Sequence, residues 1–118
     1  MSLRIYNDWS APLSAAIMFY SPNTCGGEGK NFEMRGWWNI APRGGRAVVY
    51  GGDVDFNRYW FIYAFATDGR SWTGPWRHGL PQQPFSACWG IGNTQQTIDG
   101  QFFRFDVGDN ETYNMHLT

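Results

Sequence analysis

The chain has 118 residues, the length of one ordinary domain, and a chain of that size buries roughly 65% of the surface its unfolded form exposes. Hydrophobic residues at 42% and aromatics at 19% exclude disorder, while charged residues at 16% leave much of the surface to Ser, Thr, Asn, Gln and Gly. The net charge of -1 gives no footprint for duplex nucleic acid and no polybasic membrane patch, so no nucleic-acid partner is expected.

No apolar run approaches the roughly 18 residues of a spanning helix, and no charged-then-apolar leader opens the sequence, so a soluble single domain over residues 1–118 is expected. Eight of the nine basic residues are Arg, with Lys30 the only Lys. Arg stacks on aromatic faces and forks onto carboxylates or phosphates, which suits an aromatic-rich surface. Fifteen Gly and six Pro would interrupt any long helix, so almost no helix is expected. Cys25 and Cys88 lack zinc-finger spacing. They form either one bridge across a long loop or two free thiols.

A period-two pattern recurs along the chain. Leu3 to Asn7 alternates and ends at Asp8, Ser10 and Pro12; Ala15 to Tyr20 is a second apolar run. Ser21 to Asn31 has no apolar periodicity and reads as a long loop. Phe32 to Ile40 is the next strand, turned by Pro42 and Gly44-Gly45 into Arg46 to Tyr50. Arg58 to Ala66 is apolar on both faces, which places it centrally, covered from each side or exposing an aromatic surface. Thr67-Asp68-Gly69-Arg70 is a hairpin signal. Trp72 to Pro84 carries three prolines and reads as irregular connection; Phe85 to Trp89 is a short strand before the polar Gly90 to Gln96 stretch. Ile98-Asp99-Gly100 reads as a turn, and Gln101 to Val107 with Thr112 to Leu117 as a closing hairpin across Gly108-Asp109-Asn110. About eight short strands near ten-residue spacing predict an all-β fold, a single antiparallel β-sandwich or small barrel.

Catalytic patterns are absent. His78 and His116 are far apart, and no Ser-His-Asp, Cys-His or paired metal-ligand spacing occurs. Asp53, Asp55 and Asn57 match the first three ligand positions of a calcium loop, but Arg58 stands at the sixth position and Ala64 at the twelfth. These three are weak metal candidates that more readily shape a turn. No cofactor is expected. Asn110-Glu111-Thr112 is a glycosylation sequon, relevant only in a eukaryotic secretory pathway.

The tryptophans carry more information. Trp37 and Trp38 are consecutive, so in a strand they point to opposite faces and only one enters a single core. Trp72 and Trp76 fall in a Gly/Pro loop beside Arg70, Arg77 and His78, and Trp9 lies between Asp8 and Ser10. Indoles on loops beside Arg, Asn and Gln suit a sugar platform or an interfacial membrane belt; otherwise they cap the ends of a sandwich.

Arg35-Gly36-Trp37-Trp38-Asn39-Ile40-Ala41-Pro42 resembles a small bacterial family catalogued as domain of unknown function 1036. The resemblance extends to Ala47-Val48-Val49-Tyr50-Gly51, Tyr59-Trp60-Phe61-Ile62-Tyr63-Ala64, Trp72-Thr73-Gly74 and Gln101-Phe102-Phe103-Arg104-Phe105-Asp106-Val107-Gly108, and covers most of the chain. It implies a compact β fold and no assigned chemistry. The family often carries a Cys before the Asn of its first strand and another after the turn; this chain has Tyr6 and Gly45 there.

The reading that follows is a non-enzymatic recognition module binding a carbohydrate or similar polar ligand. Its candidate site is Trp72, Trp76, Arg70, Arg77 and His78, with Trp9 and Trp37 or Trp38 as second choices. The alternatives are a small membrane-active β-sandwich of the cytolysin or insecticidal type, with a membrane surface as partner, and a subunit of a larger assembly, including a homo-oligomer. A secreted or cell-surface role fits each.

Overall fold

The computed structural model describes residues 1–26, 31–89 and 98–118. The polar Gly90 to Gln96 stretch and part of the Ser21 to Asn31 loop lie outside the described residues. Described in chain order are β1 (Leu3–Asn7), β2 (Leu13–Tyr20), the four-residue α1 (Pro22–Cys25), β3 (Phe32–Ile40), β4 (Gly45–Tyr50), β5 (Tyr59–Ala66), β6 (Ser71–Trp72), β7 (Trp76–Leu80), β8 (Phe85–Cys88), β9 (Ile98–Asp106) and β10 (Tyr113–Leu117). The fold is all-β, as composition and periodicity predict.

One sheet runs β7-β9-β5-β2-β3-β8, with β6 hydrogen-bonded to β5; a three-stranded sheet, β10-β1-β4, packs against it. The large sheet must curl. Its edge strands β7 and β8 are joined only by residues 81–84. Five chain steps reach at most about 18 Å, whereas five inter-strand spacings in a flat sheet need about 24 Å. The curl brings the edges together: the His78 ring on β7 lies 4.8 Å from that of Trp89, just after β8.

Strand alternation then serves two separate apolar clusters. On β2, Leu13, Ala15, Ile17 and Phe19 face the small sheet, where they meet Leu3, Ile5, Val49 and Leu117. Ala16 and Met18 face the inside of the curl, with Met34, Phe61, Tyr63, Leu80 and Phe102. On β5, Trp60, Ile62, Ala64 and Ala66 enter the first cluster, while Phe61 and Tyr63 enter the second. A strand covered on both faces has to be apolar throughout, the pattern its sequence displays.

The β2–β3 register shifts between Ala15 and Ala16, opposite Trp38 and Gly36. The extra residue inverts the alternation of β3. Met34 lies inside the curl; past the bulge Trp37 does, while Trp38 turns to the first cluster. Both tryptophans are half-buried because there are two apolar interiors rather than the one the sequence reading assumed.

Three expected connections differ. The irregular stretch from Trp72 to Pro84 contains the second residue of β6 and all of β7, because Pro75, Pro81 and Pro84 fall outside the strands, where a missing N–H removes no ladder bond. The expected turn at Ile98-Asp99-Gly100 is the start of β9. Gly100 is opposite His78 in the ladder, and a Cβ there would lie 2.5 Å from Leu80 Cδ1 and 2.8 Å from the His78 carbonyl oxygen, so close packing rather than a bend requires the glycine. The expected closing hairpin does not form: β10 pairs parallel with β1. β9 pairs instead with β7 over 98–102 and with β5 over 103–106, and β10 joins the small sheet.

The Pro42 turn forms as expected, with Arg43 at φ 59° and Gly44 at φ 95°. Buried Asn7 organises this corner, its amide donating to the Ala11 and Ile40 carbonyls at 2.9 and 3.0 Å while its side-chain oxygen accepts from the Trp9 N–H at 3.0 Å. Cys25 and Cys88 are bridged, with Cα atoms 5.5 Å apart, tying α1 to the end of β8.

Candidate functional site

The tryptophans divide by environment. Trp60 is fully buried, donating to the Val54 and Asn57 carbonyls at 3.1 and 3.2 Å. Trp9, Trp38 and Trp72 pack against the cluster between the sheets, and Trp37 and Trp89 against the one inside the curl. Trp76 is the most open, 36% exposed.

The candidate residues read from the sequence fall into separate places. Trp9, Arg70 and Trp72 form one corner, the Arg70 guanidinium lying 4.9 Å from the Trp72 ring and 5.4 Å from that of Trp9. The polar groups of this corner are engaged by the protein. Trp9 donates to Asp68 at 2.9 Å, Trp72 to the Thr118 carbonyl at 3.2 Å, and Arg70 to the Ser71 and Thr118 carbonyls. The Trp9 indole and then the Arg70 backbone N–H hold the Asp68 carboxyl below the ordinary aspartate range. Trp37 is likewise committed, donating to the Pro81 carbonyl at 2.8 Å and packing on Tyr63, Phe65 and Phe85, where it fills one end of the curl.

β7 separates its own three candidates by alternation. Arg77 points outward and pairs with Asp99; that hydrogen bond holds Arg77 up and Asp99 down in pKa. Trp76 and His78 point the other way. Trp76 meets Phe61, ring centres 5.2 Å apart, and the His78 ring lies against Trp89 while its Nδ1–H donates to the Gly79 carbonyl at 2.8 Å.

Trp76 and Trp89 form part of the open end of the curl. Met18, Phe32, Phe61, Trp76 and Trp89 line a well of about 250 Å³. It adjoins a wider space of about 420 Å³, which shares Phe32, Phe61 and Trp76 and adds Tyr20, Asn57, Arg58, Tyr59 and Arg104. β9 alternation places Arg104 here, opposite Phe61 in the ladder. Its guanidinium lies 4.6 Å from the Tyr59 ring and 5.3 Å from that of Trp76, held between two aromatic faces. Arg58 donates to Asp106 at 2.9 Å, and the bond raises the Arg58 pKa. Asp106 is lowered by Arg58 first and by the Gly108 N–H second. Trp89 is set in this wall by its backbone, which donates to the Phe32 carbonyl at 2.8 Å one residue beyond the bridged Cys88.

The mouth therefore contains Trp76 from the expected set, with His78 just behind it, and several residues that set lacks: Met18, Phe32, Phe61, Tyr59, Trp89 and Arg104. The available signal was the strand apolar on both faces, read as either covered from each side or exposing an aromatic surface; it is covered on both, and Phe61 on its inner face reaches the mouth. Asp53 and Asp55 are exposed, and the Asn57 amide donates to the Tyr20 carbonyl at 2.6 Å. Among the described residues no three His, Cys, Asp or Glu gather as a metal site. His116 pairs with Asp8 at 2.7 Å and stacks on Tyr6, remote from the mouth on the small sheet. No helix among the described residues is long and apolar enough to cross a membrane.

No protein-family model, curated protein or solved structure matches the chain, so the family resemblance rests on its motifs.

Proposed function

We propose that the chain is a non-enzymatic recognition module that holds a carbohydrate or similar polar ligand in the mouth of the curled sheet. The observation that carries this reading is Trp76, an exposed indole between an apolar well and the two arginines Arg58 and Arg104. Such a constellation supplies stacking and charge-assisted hydrogen bonds from a rigid scaffold, with little ordering on binding. Concave sites with a few convergent polar groups, at the open end of a curled sheet, are favoured ligand positions. The Cys25–Cys88 bridge supports a secreted or cell-surface setting, since disulfides persist in oxidising compartments.

Tryptophan fluorescence titration, preceded by a glycan-array screen, tests the reading. A ligand that quenches the wild type should bind Trp76→Ala at least tenfold more weakly. It should bind Trp72→Ala as well as wild type, because the corner's donors already have acceptors. Loss of binding in Trp72→Ala with retention in Trp76→Ala would move the site to the corner. Silence on every sugar, small polar ligand and amphiphilic anion would remove the proposal.

A further inference from the structure

We infer that the ligand of the mouth is an amphiphilic anion, an apolar chain in the inner well and a carboxylate-like group on Arg104; this rests on the mouth being the ligand site. The well is lined by Met18, Phe32, Phe61, Trp76 and Trp89, which contribute no charge and no side-chain oxygen. Hydroxyl groups of a neutral sugar would meet no side-chain acceptor among the described lining residues, and leaving them unmatched is unfavourable. A hydrocarbon chain gains from the same lining.

The outer space has the opposite character, and its open groups are mostly donors. Among the described residues Arg104 makes no hydrogen bond or ion pair; its interactions are with the Tyr59 and Trp76 rings and the field of Asp106. The Asp106 oxygens are engaged by Arg58 and by the Gly108 N–H, and the Asn57 amide by the Tyr20 carbonyl. The Trp76 and Trp89 indole N–H groups also lack an acceptor among the described residues. An unmatched guanidinium held between two rings, beside further donors, selects a planar acceptor such as a carboxylate, which it can grip with two parallel bonds. Apolar lining within and a cationic rim without define the two ends of one ligand.

Titration of the full, oxidised chain with decanoate, decanol and decyltrimethylammonium, read by tryptophan fluorescence and calorimetry, tests this. Decanoate should bind at least tenfold more tightly than the ammonium analogue. Its affinity should fall about fourfold for each methylene removed. Arg104→Gln should weaken decanoate at least tenfold and leave decanol unchanged, whereas Arg46→Gln, on the exposed face of β4, should change neither. Equal binding of the anion and the cation, or an unaltered Arg104→Gln, overturns the inference. Failure of decanoate alongside Trp76-dependent binding of a glycan overturns it and leaves the recognition site standing; failure of every probe removes both. Adsorption to anionic phospholipid vesicles without binding of free decanoate assigns the mouth to a membrane surface and likewise overturns it.

Discussion

Removing the Cys25–Cys88 bridge is the perturbation with the most calculable consequence. The bridge spans 63 residues. In the chain-entropy account, releasing a loop of that size returns about 14 cal/mol/K to the unfolded chain, or about 4 kcal/mol at 25 °C. A domain of this kind is stable by roughly 5–15 kcal/mol, so the loss is between a quarter and most of the total. Reduction, or the Cys25→Ser/Cys88→Ser double variant, should lower the urea midpoint by roughly 1.3–4 M for a slope of about 1–3 kcal/mol/M. The slope should rise with it, because the unbridged unfolded chain exposes more surface. Cys88 also anchors Trp89 in the mouth, so the unbridged protein, still folded in buffer, should bind any ligand of the mouth more weakly. An unmoved midpoint in the double variant would refute the reasoning, since it would mean that the unfolded chain gains no freedom from the break.

Asn7→Ala should cost about 2–3 kcal/mol in urea unfolding, because the Ala11 and Ile40 carbonyls lose their donor in a buried corner; a change below the effect of an ordinary surface substitution would contradict this. Gly100→Ala should cost about 1–3 kcal/mol through overpacking against Leu80 and the His78 carbonyl, and hydrogen exchange should report faster opening confined to β7 and β9. Asp68, Asp99 and Asp106 all have lowered carboxyl pKa values. Their contribution is therefore complete above the ordinary aspartate value of about 3.9 and is lost as the pH falls below it through the lowered values. Asp99→Asn should lower the midpoint in the neutral region and converge with the wild type at low pH, which flattens the acid limb of a midpoint-against-pH curve; an unchanged curve would count against the Arg77 pairing.

Much of the fold was legible because strand formation is written locally. Leu3–Asn7 and Phe32–Ile40 follow from period-two patterning and flanking Gly, Pro and Asp alone, and the two-faced apolar run at Tyr59–Ala66 announces a central strand. Local pattern failed where the meaning of a residue depends on a distant neighbour. Gly100 resembles a turn glycine until Leu80 is placed against it, and the prolines around Trp76–Leu80 resemble breakers until each is seen to lie outside the strand. The site was less legible for the same reason. Trp72 and Trp76 are four residues apart in sequence, yet one packs toward the small sheet and the other opens into the curl.

Composition and periodicity, then, determined on their own an all-β chain rich in aromatic residues. The tertiary structure decided which aromatics stay in contact with water. The short link between β7 and β8 forces the large sheet to curl, and the curl creates a second interior whose far end Trp37 fills and whose near end stays open at Trp76 and Arg104. Which side chains meet at that opening is a matter of strand order and register across the whole chain, and no stretch of neighbouring residues contains that information.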